Sequence, residues 1–228
     1  MGTQTKTLAE QVADGIMNLI QKTPYKAGDK LPTEKELCER TGAGRNTVRE
    51  ALKILASRNV LEIRQGAGTF VSEKQGIPDD PLGFSMVNDH VKLTKDLLQV
   101  RIMLEPQIAA LAAQCAKENE IKELEEILEE MEAAMKKRED YSELDTKFHT
   151  KIAQCTHNIV MENLLPVIGK GVAVFAKEVA QTEYDRTWIS HRKIFCYIRD
   201  HKPFEAEMEM QYHLLYNTSR YEEEQGGF

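Results

Sequence analysis

Cysteine is scarce in this chain, and its placement forms no pattern. Cys38, Cys115, Cys155 and Cys196 lie far apart and make no CxxC pair. A disulfide framework is therefore not expected, and all four read as reduced core residues of a cytoplasmic protein. Long apolar runs are also missing. None reaches the length of a membrane span, and the N-terminus carries no signal-peptide pattern, so no membrane partner is expected. There is no internal repeat and no low-complexity tract. After Val91 no strand-like alternation appears, which leaves the second half of the chain all-helical. Net positive charge is lacking too: the formal balance is -7, which at first argues against nucleic acid. The deficit is uneven, however. Met1 to Lys74 holds twelve Lys and Arg against nine Asp and Glu, so a mildly basic head precedes an acidic body.

The head contains the most informative stretch, Thr33 to Leu52, TEKELCERTGAGRNTVREAL. Thr33 and Glu36 have the spacing of a capping box, which predicts a helix start. Gly42 sits where the chain must turn sharply. A second helix is expected to begin near Asn46 and Thr47, both good N-cap types, with Val48, Ala51, Leu52 and Leu55 as its apolar stripe. Arg45, Asn46, Thr47 and Arg49 crowd its start on the side the stripe leaves free. Two guanidinium forks, an amide and a hydroxyl there suit phosphates and base edges of a DNA major groove. The same pattern also fits a plain helical hairpin with a solvated basic end.

An earlier helix, Thr7 to Lys22, and a hairpin flank this stretch. Val60 to Arg64 alternates as a strand, Gln65 to Gly68 reads as a turn, and Thr69 to Val71 as the return. Three helices and a two-stranded wing make a winged helix-turn-helix, with Arg64, Gln65 and the tip glycines able to approach DNA closely. Residues 75–90 are expected as a linker between a DNA-binding domain, 1–74, and a helical domain, 91–228. Helices are expected at Leu93–Lys117 (kinked at Pro106), Ile121–Arg138, Tyr141–Cys155, Ile159–Gln181 (bent or broken by Pro166, Gly169 and Gly171), Tyr184–Asp200 and Phe204–Glu223. The short connections imply antiparallel packing into a bundle.

Asp145 and His149 are four apart on one helix, so their side chains share a face. His191 lies in the penultimate helix and His213 in the last. One carboxylate and three imidazoles converging in a bundle would suit a divalent transition metal. From spacing alone, they could equally be satisfied core or surface groups. His90, His157 and His201 sit in loop-like context. Arg101, within VRIMLEP, falls between residues expected to be buried and so needs a partner. Glu105, one turn on, is the structural candidate; the carboxylate of a small ligand is the functional one. Asn217, one turn after His213, could face the same cavity.

At this point the residues resemble a family. LPTEKELCERTGAGRNTVREALKILASRNVLEIRQGAGTFV is similar to the winged-helix signature of the bacterial GntR-type transcription regulators. LLQVRIMLEPQIAALAA, LDTKFHTKIAQCTHN, SHRKI and the late His213-Leu214 resemble the landmarks of an FCD effector domain, in order, as in the FadR subfamily. The resemblance implies DNA contacts from Arg45 and Arg49, with Gly66 at the wing tip. Lys35 stands where arginine is common, so it could reach a phosphate but not fork onto guanine. The resemblance also implies a metal held by Asp145, His149, His191 and His213, and it places Arg101 beside a carboxylate effector.

The expectation is a homodimeric repressor that reads near-palindromic double-stranded operator DNA. Its effector would be a small organic acid, a sugar acid or hydroxycarboxylate, bound at zinc, nickel or manganese. Two rivals stand beside it. One is a metal-dependent enzyme, weakened because no general base or nucleophile is placed beyond the ligands. The other is a pure metal-ion sensor.

Overall fold

A computed structural model of the chain describes residues 6–74, 76–175 and 184–224. It divides into two compact units, Met1–Pro81 and Leu82–Phe228. The architecture is mainly α: a winged helix-turn-helix followed by an all-α domain.

In the first unit, α1 (Leu8–Lys22) and α2 (Glu34–Thr41) both start at capping boxes, Thr7 with Glu10 and Thr33 with Glu36. In each box the N-cap hydroxyl and the N3 carboxylate satisfy each other's backbone amides. Gly42 closes α2 at φ 68°, a left-handed cap that favours glycine. α3 (Arg45–Ser57) begins one residue earlier than expected. Gly44 is its N-cap and no side chain caps it, so Asn46 and Thr47 lie inside the first turn rather than at its entry. Val12, Ile16, Leu37, Val48, Leu52, Leu55 and Leu61 form the shared core of the three helices and the wing.

The wing pairs β1 (Leu61–Arg64) with β2 (Gly68–Val71), antiparallel, with Leu61 opposite Val71. The loop before α2 adds a partial third edge. Lys30 bridges Phe70, and the Leu31 amide donates to the Thr69 carbonyl. Residues just past the wing stay with this unit: the Asn59 side chain donates to the Ile77 carbonyl, and the Gly76 amide donates to the Asn59 carbonyl.

The second unit opens with a single 3-10 turn, Phe84–Met86. Six α-helices follow among the described residues: α4 (His90–Cys115), α5 (Glu118–Lys137), α6 (Ser142–Cys155), α7 (Ile159–Phe175), α8 (Tyr184–Arg199) and α9 (Pro203–Glu224). α4 continues through Pro106, which is buried within it. α7 is likewise unbroken at Pro166, Gly169 and Gly171; its expected continuation to Gln181 lies outside the described residues. The α7 glycines serve close approach instead. A Cβ on Gly171 would lie 2.7 Å from Leu97 Cδ1 and 3.3 Å from the Phe84 ring, and one on Gly169 would lie 3.0 Å from Thr146 Cγ2.

The core of this unit runs through Ile108, Leu124, Leu128, Met131, Phe148, Ile152, Ile194, Phe195 and Leu214. Of the four cysteines, all free, only Cys155 is fully buried; Cys115 is exposed and the other two are half-buried. Cys38 and Cys196 nonetheless pack against the cores of their units, so the expectation of four core cysteines fails only at Cys115. Burial pushes the Cys155 thiol up to about 12, so it stays protonated and packs as a small apolar group.

Candidate metal centre and nucleic-acid interface

The helical unit brings one face of α6 against α4, α8 and α9. Phe148 is fully buried and packs edge-on against the rings of both His149 and His191. Its bulk anchors α6, and the adjacent turn carries Asp145 and His149 inward. The i,i+4 spacing puts both on one side. α8 contributes His191, which is fully buried, and α9 contributes His213, 2% exposed. One ligand-type atom from each of the four residues lies within 4.8 Å of every other. His191 Nε2 is 3.3 Å from His149 Nε2 and 3.2 Å from Asp145 Oδ1. The edge of a tetrahedron with metal–nitrogen bonds of about 2.0–2.1 Å is about 3.3 Å, so these two separations are of coordination size.

The outer nitrogens indicate which atoms face inward. Ser190 donates its hydroxyl to the Thr187 carbonyl at 3.0 Å, so its oxygen accepts from His213 Nδ1 at 2.8 Å. His149 Nδ1 donates to Glu105 Oε2 at 2.5 Å. With the proton on Nδ1, each ring keeps an Nε2 lone pair: that of His149 faces the interior, and that of His213 also lies within reach of the Asn217 amide. Lone pairs and a carboxylate oxygen packed this closely repel one another unless a cation or a proton lies between them. The set therefore fits a divalent transition ion, with two of its imidazoles oriented by outer hydrogen bonds. His191 differs: among the described residues its Nδ1 is buried without a hydrogen-bond partner.

Charge is arranged to match. Burial would raise the Asp145 carboxyl, but His149, His191 and Arg101 hold it well below the usual carboxylate range. Burial lowers His191, partly opposed by Asp145. Burial and the neighbouring rings of His191 and His149 push His213 well below its ordinary value. Both rings are thus neutral at pH 7, as metal ligands must be. Asp145, with 23% of its side chain exposed, is the least enclosed of the four.

Arg101 lies on α4, 6% exposed, and its Nε donates to Glu105 Oε1 at 2.5 Å. The structure thus shows the internal partner for Arg101. It also shows a link that the sequence did not reveal: Glu105 joins Arg101 to His149. Burial would raise the Glu105 carboxyl, but the Arg101 guanidinium and His149 hold it at about 2. Asn217 reaches His213, with Nδ2 3.2 Å from Nε2. Outside the cluster, His90 opens α4. His157 and His201 occupy left-handed turns after helices; they bond to Glu120 and to the Ala113 carbonyl.

In the winged-helix unit, Arg45, Asn46 and Arg49 are exposed in the first turns of α3, with Thr47 half-buried beside them; Lys35 is exposed on α2. Arg49 Nε pairs with Glu34 at 2.9 Å. Arg64 pairs with Glu62 and lies over the Phe70 ring, 4.4 Å from its centroid. Gly66, at φ 74°, turns the wing tip.

Comparison with known proteins fits this division. Residues 8–71 match the family described as "Bacterial regulatory proteins, gntR family", and residues 96–216 match the FCD domain. The chain belongs to the GntR family of DNA-binding transcription regulators, in the FCD-containing FadR subfamily, which is a family of regulators and not of enzymes. Among solved structures, Streptococcus agalactiae GntR is 38% identical, with a TM-score of 0.83, over 92% of this chain and 99% of that one. The Uxu operon transcriptional regulator of Escherichia coli (strain K12) is 36% identical over 68% of this chain and 61% of its own length. The Galactonate operon transcriptional repressor of the same strain is 29% identical, over 80% and 75%. The Glc operon transcriptional activator, also of that strain, is 31% identical, over 71% and 65%.

Proposed function

We propose that this regulator is a homodimeric repressor that binds a near-palindromic operator and releases it when a small organic acid reaches the metal centre. The observation that carries the reading is the buried convergence of Asp145, His149, His191 and His213 within the FCD domain. Zinc is the ion proposed, since neutral imidazoles and one carboxylate suit it; nickel and manganese are the alternatives a metal screen separates. The bound ion would supply a fixed positive anchor for an acid's oxygen atoms. The chain's own residues do the rest. Glu105 fixes the ring of His149, Ser190 fixes that of His213, and Asn217 lies at the His213 edge of the site.

Arg101 combines both roles weighed for it. Its Nε and Nη2 are directed at Glu105, and a guanidinium has five N–H donors, so it can hold Glu105 and still direct others at an acid's carboxylate. The acid class proposed is a sugar acid or hydroxycarboxylate, by analogy with the galactonate named for one relative. The same relatives include a repressor and an activator, so the direction of control is tested, not inherited.

For DNA, Arg45, Asn46, Thr47 and Arg49 would meet the major groove. Lys35, Arg64 and the Gly66 backbone would contact phosphate or the neighbouring groove. Coupling between acid and DNA need be only about 1–3 kcal/mol. The test is a thermal-shift screen of zinc-loaded protein against small carboxylates, followed by DNA binding with and without each hit. An acid that stabilises the loaded protein and loosens its DNA supports the reading. DNA affinity that follows metal alone and ignores every acid would make the chain a metal-ion sensor instead.

A further inference from the structure

Thr94 is completely buried on α4, and among the described residues its hydroxyl has no hydrogen-bond partner. A buried hydroxyl without a partner is costly and calls for an explanation. Its position suggests one. Thr94 precedes Arg101 by seven residues and Glu105 by eleven, close to two and three full turns, so the three share one face of α4. At its Glu105 end that face meets the metal centre, because Glu105 bonds His149. The neighbouring stripe, with Leu93 and Leu97, is committed to Ile168 and Val172 of α7.

We propose that Thr94 is a specificity-determining residue of the effector site, reading a distal hydroxyl of a six-carbon polyhydroxy acid. The inference rests on the effector reading above and narrows it to long acids. Seven residues of α-helix separate Thr94 from Arg101 by about 10 Å along the axis. An extended six-carbon chain spans about 6 Å, and a hydrogen bond at each end brings its reach to about 12 Å. A two- or three-carbon acid reaches only about 7–8 Å on the same reckoning. With its carboxylate held by Arg101, a hexonate or hexuronate therefore has the length to approach the Thr94 hydroxyl, and lactate does not.

The test is calorimetric titration of zinc-loaded wild-type, Thr94→Val and Thr94→Ser proteins. The probes are galactonate, gluconate and galacturonate on one side and L-lactate and glycolate on the other. The wild type should bind at least one six-carbon acid more tightly than either short acid. Thr94→Val should lose about tenfold for that acid, Thr94→Ser should keep most of the affinity, and the short acids should bind both variants as they bind the wild type. Without ligand, Thr94→Val should melt no lower than the wild type, since it removes a hydroxyl that has no internal partner to lose. Unchanged affinity of Thr94→Val for the six-carbon acid overturns the role of Thr94 alone. Tighter binding of a short acid overturns the long-acid class. A wild type that binds none of the five overturns the effector reading together with this refinement of it.

Discussion

Glu105→Gln tests how the centre is held together. The carboxylate of Glu105 is buried, with 3% of its side chain exposed, between Arg101 and His149. The Arg101 guanidinium and His149 hold its carboxyl at about 2, well below its ordinary value. Removing one partner of a buried ion pair costs about 3–5 kcal/mol. Glutamine keeps the volume and leaves a carbonyl for His149 Nδ1, but it strands the Arg101 guanidinium. Urea unfolding of the metal-free helical domain within the full chain at pH 7 should show a loss of about 3 kcal/mol. Zinc affinity should fall about 10- to 100-fold, because His149 loses its charged outer partner. An Arg101→Met/Glu105→Met double variant should recover most of the stability but not the zinc affinity. A single variant within about 0.5 kcal/mol of the wild type, with zinc binding intact, would refute the buttress.

Acid should unfold the metal-free protein in two windows. The folded His191 and His213 lie below 6.5. Below that pH the unfolded chain takes up protons that the folded one refuses, and stability should fall by up to about 2.7 kcal/mol per pH unit for the pair. Glu105 is depressed, so its contribution is present above 4.5 and is lost as pH falls toward about 2; flat stability from pH 7 to 5 would contradict the histidine assignment. Arg49→Ala should weaken binding to a selected operator by about 1–3 kcal/mol and relax one base position. The exposed Glu34 pair that Arg49 must give up is worth at most about 1 kcal/mol, and unchanged affinity would remove Arg49 from the interface. Gly171→Ala should destabilise the helical domain by about 1–3 kcal/mol through overpacking against Leu97 and Phe84; no change in unfolding midpoint would show that α7 can shift at no cost.

Local chemistry was legible where a short-range rule decides the structure. Thr33 with Glu36 marks the start of α2 because a capping box is complete within four residues. Asp145 and His149 share a face because helical periodicity requires it. The start of α3 was misplaced because Gly44 caps it through backbone conformation alone, leaving the better side-chain candidates, Asn46 and Thr47, inside the first turn. Pro106 suggested a kink and Pro166 a bend or break; both helices continue past these residues without interruption. Within the centre, Glu105 was legible as a partner for Arg101, but its bond to His149 spans 44 residues, and no local spacing reports that. Ser190 stands directly before His191 in sequence yet serves His213, because adjacent helical residues point in different directions.

The central claim is that side chains from α6, α8 and α9 hold one metal ion. Competition titration with zinc and a chromophoric chelator measures this most directly, on the wild type and on His191→Ala. One zinc per chain in the wild type, lost in the variant while the helical content stays the same, is the expected result. A wild type that binds no zinc, nickel or manganese, or a variant that still binds one equivalent with undiminished affinity, would contradict the account.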